Sequence, residues 1–303
     1  MNGPVVVLAG GTGGAKLARG MLDVVGPDQL VVVANTGDDI EIYGAYVSPD
    51  PDLAMFWLTD RIDERGWGIA GDTFRVMDAL RRLSVDVWFN LGDEDLAIGV
   101  ERARMLEHGA RLTDAHAAIA TALGAPARVL PMSDSPVRTR VMAGGRWWPF
   151  QEFMIKAGRD EPVEDVDFRG APNARPSTEV LEAVAGASAI VIGPSNPVIS
   201  IDPILAVPGM RAALRDAPAP KIAVSPLVAG KVVKGPTEAF MARTGRSLSS
   251  EGIAHHYEGV IDGLVADTRA ELVPVLETDV LMDTPEARRR VADETLRFAL
   301  ALR

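Results

Sequence analysis

Cysteine is missing altogether from the 303 residues. Its absence excludes disulfides, a thiol nucleophile and thiolate metal sites, and it suits a cytoplasmic protein. Histidine is nearly as scarce, at four residues, which argues against a zinc site built on imidazoles. No apolar run reaches the length of a membrane span, and no basic-then-apolar leader opens the chain. Cationic side chains are outnumbered: 31 Lys and Arg against 42 Asp and Glu leave a formal charge of −11. That balance speaks against a nucleic-acid or anionic-membrane partner. An acidic chain that handles phosphates must do so locally, through backbone N–H groups, a few cations or a divalent metal held by carboxylates. What remains is an ordinary globular composition, 47% hydrophobic and 24% charged. The length allows one large or two modest domains with a substantial core.

Residues 5–21, VVVLAGGTGGAKLARGM, organise the rest. Val5, Val6, Val7 and Leu8 form an apolar, β-favouring run. Gly10, Gly11, Thr12, Gly13 and Gly14 break it, and Leu17, Met21 and Val25 then recur at helical spacing. This pattern predicts a buried strand, a tight glycine loop and a helix. Such a loop lets the backbone approach a ligand, and its N–H groups with the helix N-terminus make an anion site, most often for phosphate. The loop is neither the dinucleotide fingerprint G-x-G-x-x-G nor a Walker loop ending in G-K-[ST]. Lys16 sits one turn into the helix, where it either reaches a phosphate or is simply solvated.

Downstream, polar turns repeatedly follow short apolar strands, the places where ligands sit in an open α/β sheet. The strand at 30–34 runs into Asn35-Thr36-Gly37-Asp38-Asp39, and Ser48-Pro49-Asp50-Pro51-Asp52 reads as an irregular segment leading to a helix over 53–59. Asp38, Asp39, Asp50 and Asp52 together exceed what turns and helix caps require, and they suit Mg²⁺ or contacts to substrate hydroxyls. Asp72 or Thr73 caps a helix reaching Leu83, and a strand is expected at 85–89, followed by a turn that contains Asp93. Helices are expected over 102–106 and 113–123, then a strand at 128–130 running into the turn that holds Asp134. Asn35, Asp93 and Asp134 join the candidate substrate-binding residues on this positional argument. Arg138 and Arg140 alternate as on a strand, toward an anion or toward water. Trp147, Trp148, Phe150 and Phe153 form either the core of a small insert or a wall for a flat ligand. Residues 159–176 read as an insert or mobile lid. From Thr178 the α/β alternation resumes, and the strand at 189–192 ends in Gly193-Pro194-Ser195-Asn196-Pro197. The strand at 221–224 ends in Ser225-Pro226, and an amphipathic helix closes the chain over 285–302.

In order, AGGTGGAKL, ANTGDDIEIYG, SPDPD, RGWG, GDTF, LGDEDLA, PMSDSPVRT, QEF, IGPSNPVISI, LAVPGM, SPLVAGKVVKGP and HHYEG span nearly the whole chain. This series resembles the 2-phospho-L-lactate transferase family, whose members act in coenzyme F-420 biosynthesis. The resemblance implies a Rossmann-like α/β fold, a three-layer sandwich on a mostly parallel sheet. It implies one domain over 1–303, with an inserted subdomain or lid near 141–176, and a homodimer. It implies Mg²⁺-assisted transfer of a phospholactyl or phosphoenolpyruvyl group from a guanosine diphosphate-linked donor to the deazaflavin Fo, with GMP leaving. On this resemblance Gly10 to Gly14 line the diphosphate region, while Gly193, Ser195, Asn196, Ser225 and Pro226 shape the guanosine site. Asp38, Asp39, Asp50 and Asp52 contact metal or substrate, Asp39 and Asp52 are the catalytic candidates, and Asp52 matches an aspartate that binds Fo. The family pattern is LGDRDLA, and Glu94 stands here where arginine is expected. That departure leaves open a paralogous transferase with another donor, such as a 3-phosphoglyceryl one. A non-catalytic nucleotide-binding relative is the alternative from another class, but four carboxylates beside a phosphate cradle are more than a binder needs.

Overall fold

The computed structural model describes residues 3–157, 162–232 and 235–303. The start of the expected 159–176 insert and part of the SPLVAGKVVKGP stretch lie outside the described residues. The chain runs β1 (Val5–Ala9), α1 (Gly11–Val25), β2 (Leu30–Ala34), β3 (Ile40–Ile42), β4 (Ala45–Val47), α2 (Pro49–Leu58), α3 (Arg75–Arg82), α4 (Asp93–Glu107) and α5 (Leu112–Ala122). It continues through β5 (Arg128–Pro131), β6 (Arg138–Ala143), β7 (Arg146–Pro149), α6 (Phe150–Glu152), β8 (Asp165–Arg169), α7 (Thr178–Ala185), β9 (Ala189–Ile192), α8 (Asp202–Ala206) and α9 (Met210–Asp216). The last elements are β10 (Lys221–Val224), β11 (Leu227–Val228), β12 (Lys231–Val232), α10 (Thr237–Arg243), α11 (Ser250–His256), β13 (Gly263–Ala266), β14 (Val275–Glu277) and α12 (Pro285–Ala301).

A seven-stranded sheet in the order β14-β13-β10-β9-β1-β2-β5 forms the middle layer. Every pair in it is parallel, so both faces must be covered, and its strands are continuous apolar runs. Alternation along β1 divides the core. Val5, Val7 and Ala9 pack with Leu17 and Met21 of α1 and Val291 and Leu296 of α12. Val6 and Leu8 join the opposite cluster, with Val180 of α7, Leu214 of α9 and Phe240 of α10. Each such fully buried side chain contributes about 1.5–3 kcal/mol. The result is the expected Rossmann-like α/β sandwich. Between β5 and α7 stands a separate antiparallel sheet, β7-β6-β8. Among the described residues, no single helix is long and apolar enough to cross a membrane.

Order reverses at β1. The chain moves from β1 to β2 and β5 on one side, whereas β9 pairs with the other side of β1 and leads away through β10 and β13. The loops after β1 and β9 therefore diverge at the carboxyl end of the sheet and open a crevice there.

Two expected elements differ. Residues 85–89 alternate like a strand but pair with no sheet. Ser84 takes a left-handed conformation at φ 63°, turning the chain out of α3, and Val87 and Phe89 then pack beside Met77, Leu91 and Leu96. The Phe89 N–H donates to the Tyr43 hydroxyl at 3.2 Å. Hydrophobic periodicity thus reports a contact made without a ladder. The second difference is α2, which begins at Pro49, so that SPDPD is helical from its second residue. Proline suits the first helical position because its missing N–H would be unpaired there anyway.

His116 of α5 is fully buried, and among the described residues neither ring nitrogen meets a hydrogen-bond partner. Burial, with Arg102 nearby, pushes its imidazolium down to about 3. The unfolded chain takes up a proton near pH 6.5 and the folded chain does not, so this group's stability contribution is complete above about pH 6.5 and is lost as pH falls. His116→Leu removes both the unpaired polar atoms and the titration. Its urea-unfolding stability should exceed that of the parent by a margin that grows by about 2 kcal/mol between about pH 7.5 and pH 5. Parallel pH curves for the two proteins would refute this.

Candidate functional site

The crevice is built by two loops pressed together. A Cβ on Gly13 would lie 2.0 Å from the Pro194 carbonyl oxygen, and one on Gly193 would lie 2.8 Å from Gly14 Cα. Only hydrogen side chains allow this approach. The Gly10 N–H donates to Ser195 Oγ at 3.3 Å, tying the loop after β1 to the loop after β9. A cavity of about 330 Å³ opens above, lined by Gly10, Gly11, Thr12, Gly13, Lys16, Asp38, Asp50, Ser195, Asn196, Ser225 and Pro226. It also takes Ser200, Thr237 and Asp283, which sequence reasoning did not single out. Gly14, Asn35 and Gly193 stand behind this wall rather than in it. Lys16 Nζ lies 3.3 Å from Asp283, a partner contributed by the segment before α12.

Asp50 is the most constrained side chain here. Its Oδ1 accepts the Gly11 N–H at 2.6 Å and its Oδ2 accepts Asn35 Nδ2 at 2.9 Å. Asn35 is in turn fixed by the Gly37 N–H, which donates to its Oδ1 at 2.7 Å. Burial pushes the Asp50 carboxyl up to about 6 against those hydrogen bonds. Asp38 is raised well above the carboxylate range by burial and by the neighbouring Asp50, and its Oδ1 has no hydrogen-bond partner among the described residues. Two buried carboxylates, one with an orphaned oxygen, thus face one cavity. That donor set fits a small divalent cation, which takes one or two carboxylates and completes its shell with phosphate and water oxygens. A second orphan is Asn196 Nδ2, also at this cavity, whose Oδ1 caps the backbone N–H of Val198 at 3.0 Å.

The other two aspartates of the acidic group turn elsewhere. Asp52 pairs with the fully buried Arg102: Nη1 donates to its Oδ2 at 3.0 Å and Nη2 to its Oδ1. Asp39 accepts the Tyr46 hydroxyl at 2.9 Å and the Ser48 hydroxyl at 2.8 Å, and burial lifts it to about 7 against the pull of Arg138. The four carboxylates do not converge on one ion, and among the described residues no three acidic or imidazole side chains gather to hold a metal.

Asp50 also lines a second cavity of about 200 Å³, together with Asp52, Asp95, Trp67, Phe74, Phe89 and Gln151. Asp95 is lifted to about 7 by burial and by the like charges of Asp52 and Asp72. A third cavity, of about 480 Å³, shares Asp38 and Phe150 with the first and Gln151 with the second, and includes Asp39, Arg138, Arg140 and Arg169.

Asp93 and Asp134 line none of the three. Asp93 accepts the N–H groups of Arg75 at 3.1 Å and Val76 at 3.0 Å, so it caps α3. Asp72, one of two residues (with Thr73) expected to cap that helix, instead accepts the N–H groups of Glu94 at 3.0 Å and Asp95 at 3.1 Å and caps α4. Asp134 accepts the Thr113 N–H at 2.8 Å at the start of α5. Glu94 is exposed and lines none of these cavities.

Comparisons with known proteins meet this geometry. A family model described as 2-phospho-L-lactate transferase CofD matches residues 5–293. A phosphoenolpyruvate transferase of Kitasatospora aureofaciens is 39% identical over 310 residues, covering 95% of this chain and 97% of that protein. A 2-phospho-L-lactate transferase of Methanosarcina mazei is 37% identical, covering 88% of this chain and 87% of its own. A crystal structure of a UPF0052 family member from Bacillus halodurans superposes with a TM-score of 0.56 at 19% identity, over 88% of this chain and 80% of that one. That last likeness concerns the fold.

The Asp52–Arg102 pair also sets what loss of Asp52 does. Asp52→Ala leaves a guanidinium buried without its counter-charge, and should lower the unfolding free energy by about 3–5 kcal/mol. Adding Arg102→Met should restore most of that loss. Urea-unfolding midpoints of the two variants check it, and an Asp52→Ala protein as stable as the parent would show that the pair carries no such penalty.

Proposed function

The chain belongs to the 2-phospho-L-lactate transferase CofD family, a family of transferases, and on that premise we propose the reaction that it runs. It moves a phospho-three-carbon-acid group, phospholactyl or phosphoenolpyruvyl, from a guanosine diphosphate-linked donor to the primary hydroxyl of the deazaflavin Fo, releasing GMP. The observation that carries this reading is Asp50, whose carboxylate is wall to two cavities at once. Transfer between two small molecules needs two sites that meet where the bond changes hands.

The first cavity suits the donor. The N–H groups of Thr12 and Gly13 in the first turn of α1, and Lys16, face the diphosphate, and Asn196 Nδ2, unpartnered among the described residues, with Ser225 and Pro226 offers the nucleoside a polar and an apolar contact. The second cavity suits the acceptor: Trp67, Phe74 and Phe89 give a flat ring system apolar walls. Asp52, oriented by Arg102, is placed to hold an acceptor hydroxyl. In the transfer, the hydroxyl oxygen forms a bond to the phosphorus that bears the three-carbon acid. The phosphorus–oxygen bond to GMP breaks, GMP leaves with the electron pair, and the hydroxyl proton is released. Such chemistry is mainly positioning and neutralisation of spreading negative charge. Asp38 and Asp50 are the residues that would hold Mg²⁺, which when bound supplies that neutralisation at the phosphoryl oxygens. Asp39 acts at one remove, anchoring Tyr46 and Arg138. The homodimeric state and cytoplasmic setting belong to the same reading.

Calorimetric titration with Fo, and separately with GDP, each with and without Mg²⁺, tests it. Fo should bind, and GDP should bind more tightly with Mg²⁺; failure of Fo to bind would remove the acceptor assignment. Asp50→Asn should lower kcat by at least about a hundredfold and abolish the Mg²⁺ effect on GDP affinity. Unimpaired turnover in that variant would dismiss Asp50 from the mechanism.

A further inference from the structure

Three arginines, Arg138, Arg140 and Arg169, line the third cavity of this acidic chain. Its floor is the outer face of the small sheet. In the antiparallel pairing of β6 with β8, Arg138 stands directly opposite Arg169, and Arg140 opposite Asp167. Arg140 is satisfied by Asp167, with Nε 3.2 Å from its Oδ2. Arg138 donates to the Tyr46 hydroxyl at 3.1 Å and lies 3.9 Å from Glu41. Arg169 is exposed and, among the described residues, has no ion pair or hydrogen-bond acceptor for its side chain. Like charges directly opposed across strands destabilise a sheet, so this register calls for an anion. The acidic groups facing the cavity are Asp38, Asp39 and Glu41. Asp38 is the residue assigned above to the cation, and Asp39 is hydrogen-bonded by Tyr46 and Ser48.

Asp38 and Phe150 are common to this cavity and to the one with the glycine loops. A group attached to the phosphorus beside Asp38 therefore has a direct way in. On the reading of the preceding section, the group attached there is the three-carbon acid, which ends in a carboxylate. We propose that the third cavity is the subsite for that carboxylate, with Arg169 its principal partner and Arg138 supporting it. A guanidinium fork matches a carboxylate in two parallel hydrogen bonds, which a point charge does not. The subsite selects donors that end in a carboxylate over those that end in a neutral group. It stands apart from Glu94, the position where the family's arginine is replaced.

The test is steady-state kinetics with the acid-bearing donor on Arg169→Gln and Arg169→Lys, with GDP and Fo affinities measured by calorimetry on the same proteins. Among the described residues Arg169 touches no partner, so Arg169→Lys should melt with the parent and Arg169→Gln, which removes the repulsion of Arg138, at or slightly above it. Arg169→Gln should raise the donor KM by about ten- to a hundredfold, with kcat much less affected and with GDP and Fo affinities unchanged. Arg169→Lys should recover part of the loss. An unchanged donor KM in Arg169→Gln, with GDP and Fo still bound, would overturn the subsite and leave the reaction standing. Failure of the parent itself to bind GDP and Fo would overturn both together.

Discussion

Everything at the site depends on two glycine loops touching. The strand order reverses between β1 and β9, so the chain leaves these neighbours in opposite directions, and the space between their exits is where a ligand fits. The loops close that space from below only because Gly13 lies under Pro194 and Gly14 under Gly193. Contact between them fixes the backbone of residues 10–11, and the Gly11 N–H then fixes Asp50. Asn35, at the end of β2, holds the same carboxylate from the other side. Three neighbouring strand ends thus determine one side chain. A methyl group added at Gly13 would displace all of this at once, since a Cβ cannot sit 2.0 Å from a carbonyl oxygen.

The cost of the arrangement is carboxylate burial, and it is met differently at each position. Asp50 and Asp52 are two residues apart in the first turn of α2. Residues at that spacing do not share a helix face, so one meets the crevice loops while the other meets Arg102. An irregular segment would have been free to aim both at one ion, and a helix is not. Asp52 has a full counter-charge, Asp39 has two hydroxyls, and Asp50 has an amide and a backbone N–H. Of these four, only Asp38 keeps a buried oxygen without a partner among the described residues, and it lines the first cavity.

Legibility in the sequence followed the range of the interaction. Buried parallel strands and the glycine loop are local patterns, and β1, α1, β2, β9 and β10 lie where the apolar runs and breaks placed them. The crevice residues were also readable, because strand ends are where an α/β sheet binds. Long-range exchange was not readable. Asp72 and Asp93 each cap the helix nearer to the other, and nothing in either local sequence distinguishes that from self-capping. Arg102, in a stretch expected to be helical, shows no local sign of burial, and only the packing of α4 against β4 buries it. Residues 85–89 have strand periodicity because Val87 and Phe89 need burial, and a hydrophobic cluster met that need without a sheet. The aromatic lining of the second cavity comes from segments that only the packing of α2, α3 and α4 brings together.

Net charge makes the small sheet more than an appendage. At −11 the chain's overall field opposes an anionic ligand, but ions screen that field within about 8–10 Å, and inside the crevice the nearest groups decide. Along the glycine loops those groups are backbone dipoles, which attract phosphate without adding charge. A carboxylate further along has no such cradle and needs cations, and β6 and β8 bring arginines to that end of the crevice. Opposing Arg138 to Arg169 costs the sheet stability while no anion is present. An anion bound between them removes the repulsion, so the ligand that fills this cavity also steadies the sheet that forms its floor. Binding and local order are then one equilibrium, coupled through two residues in register.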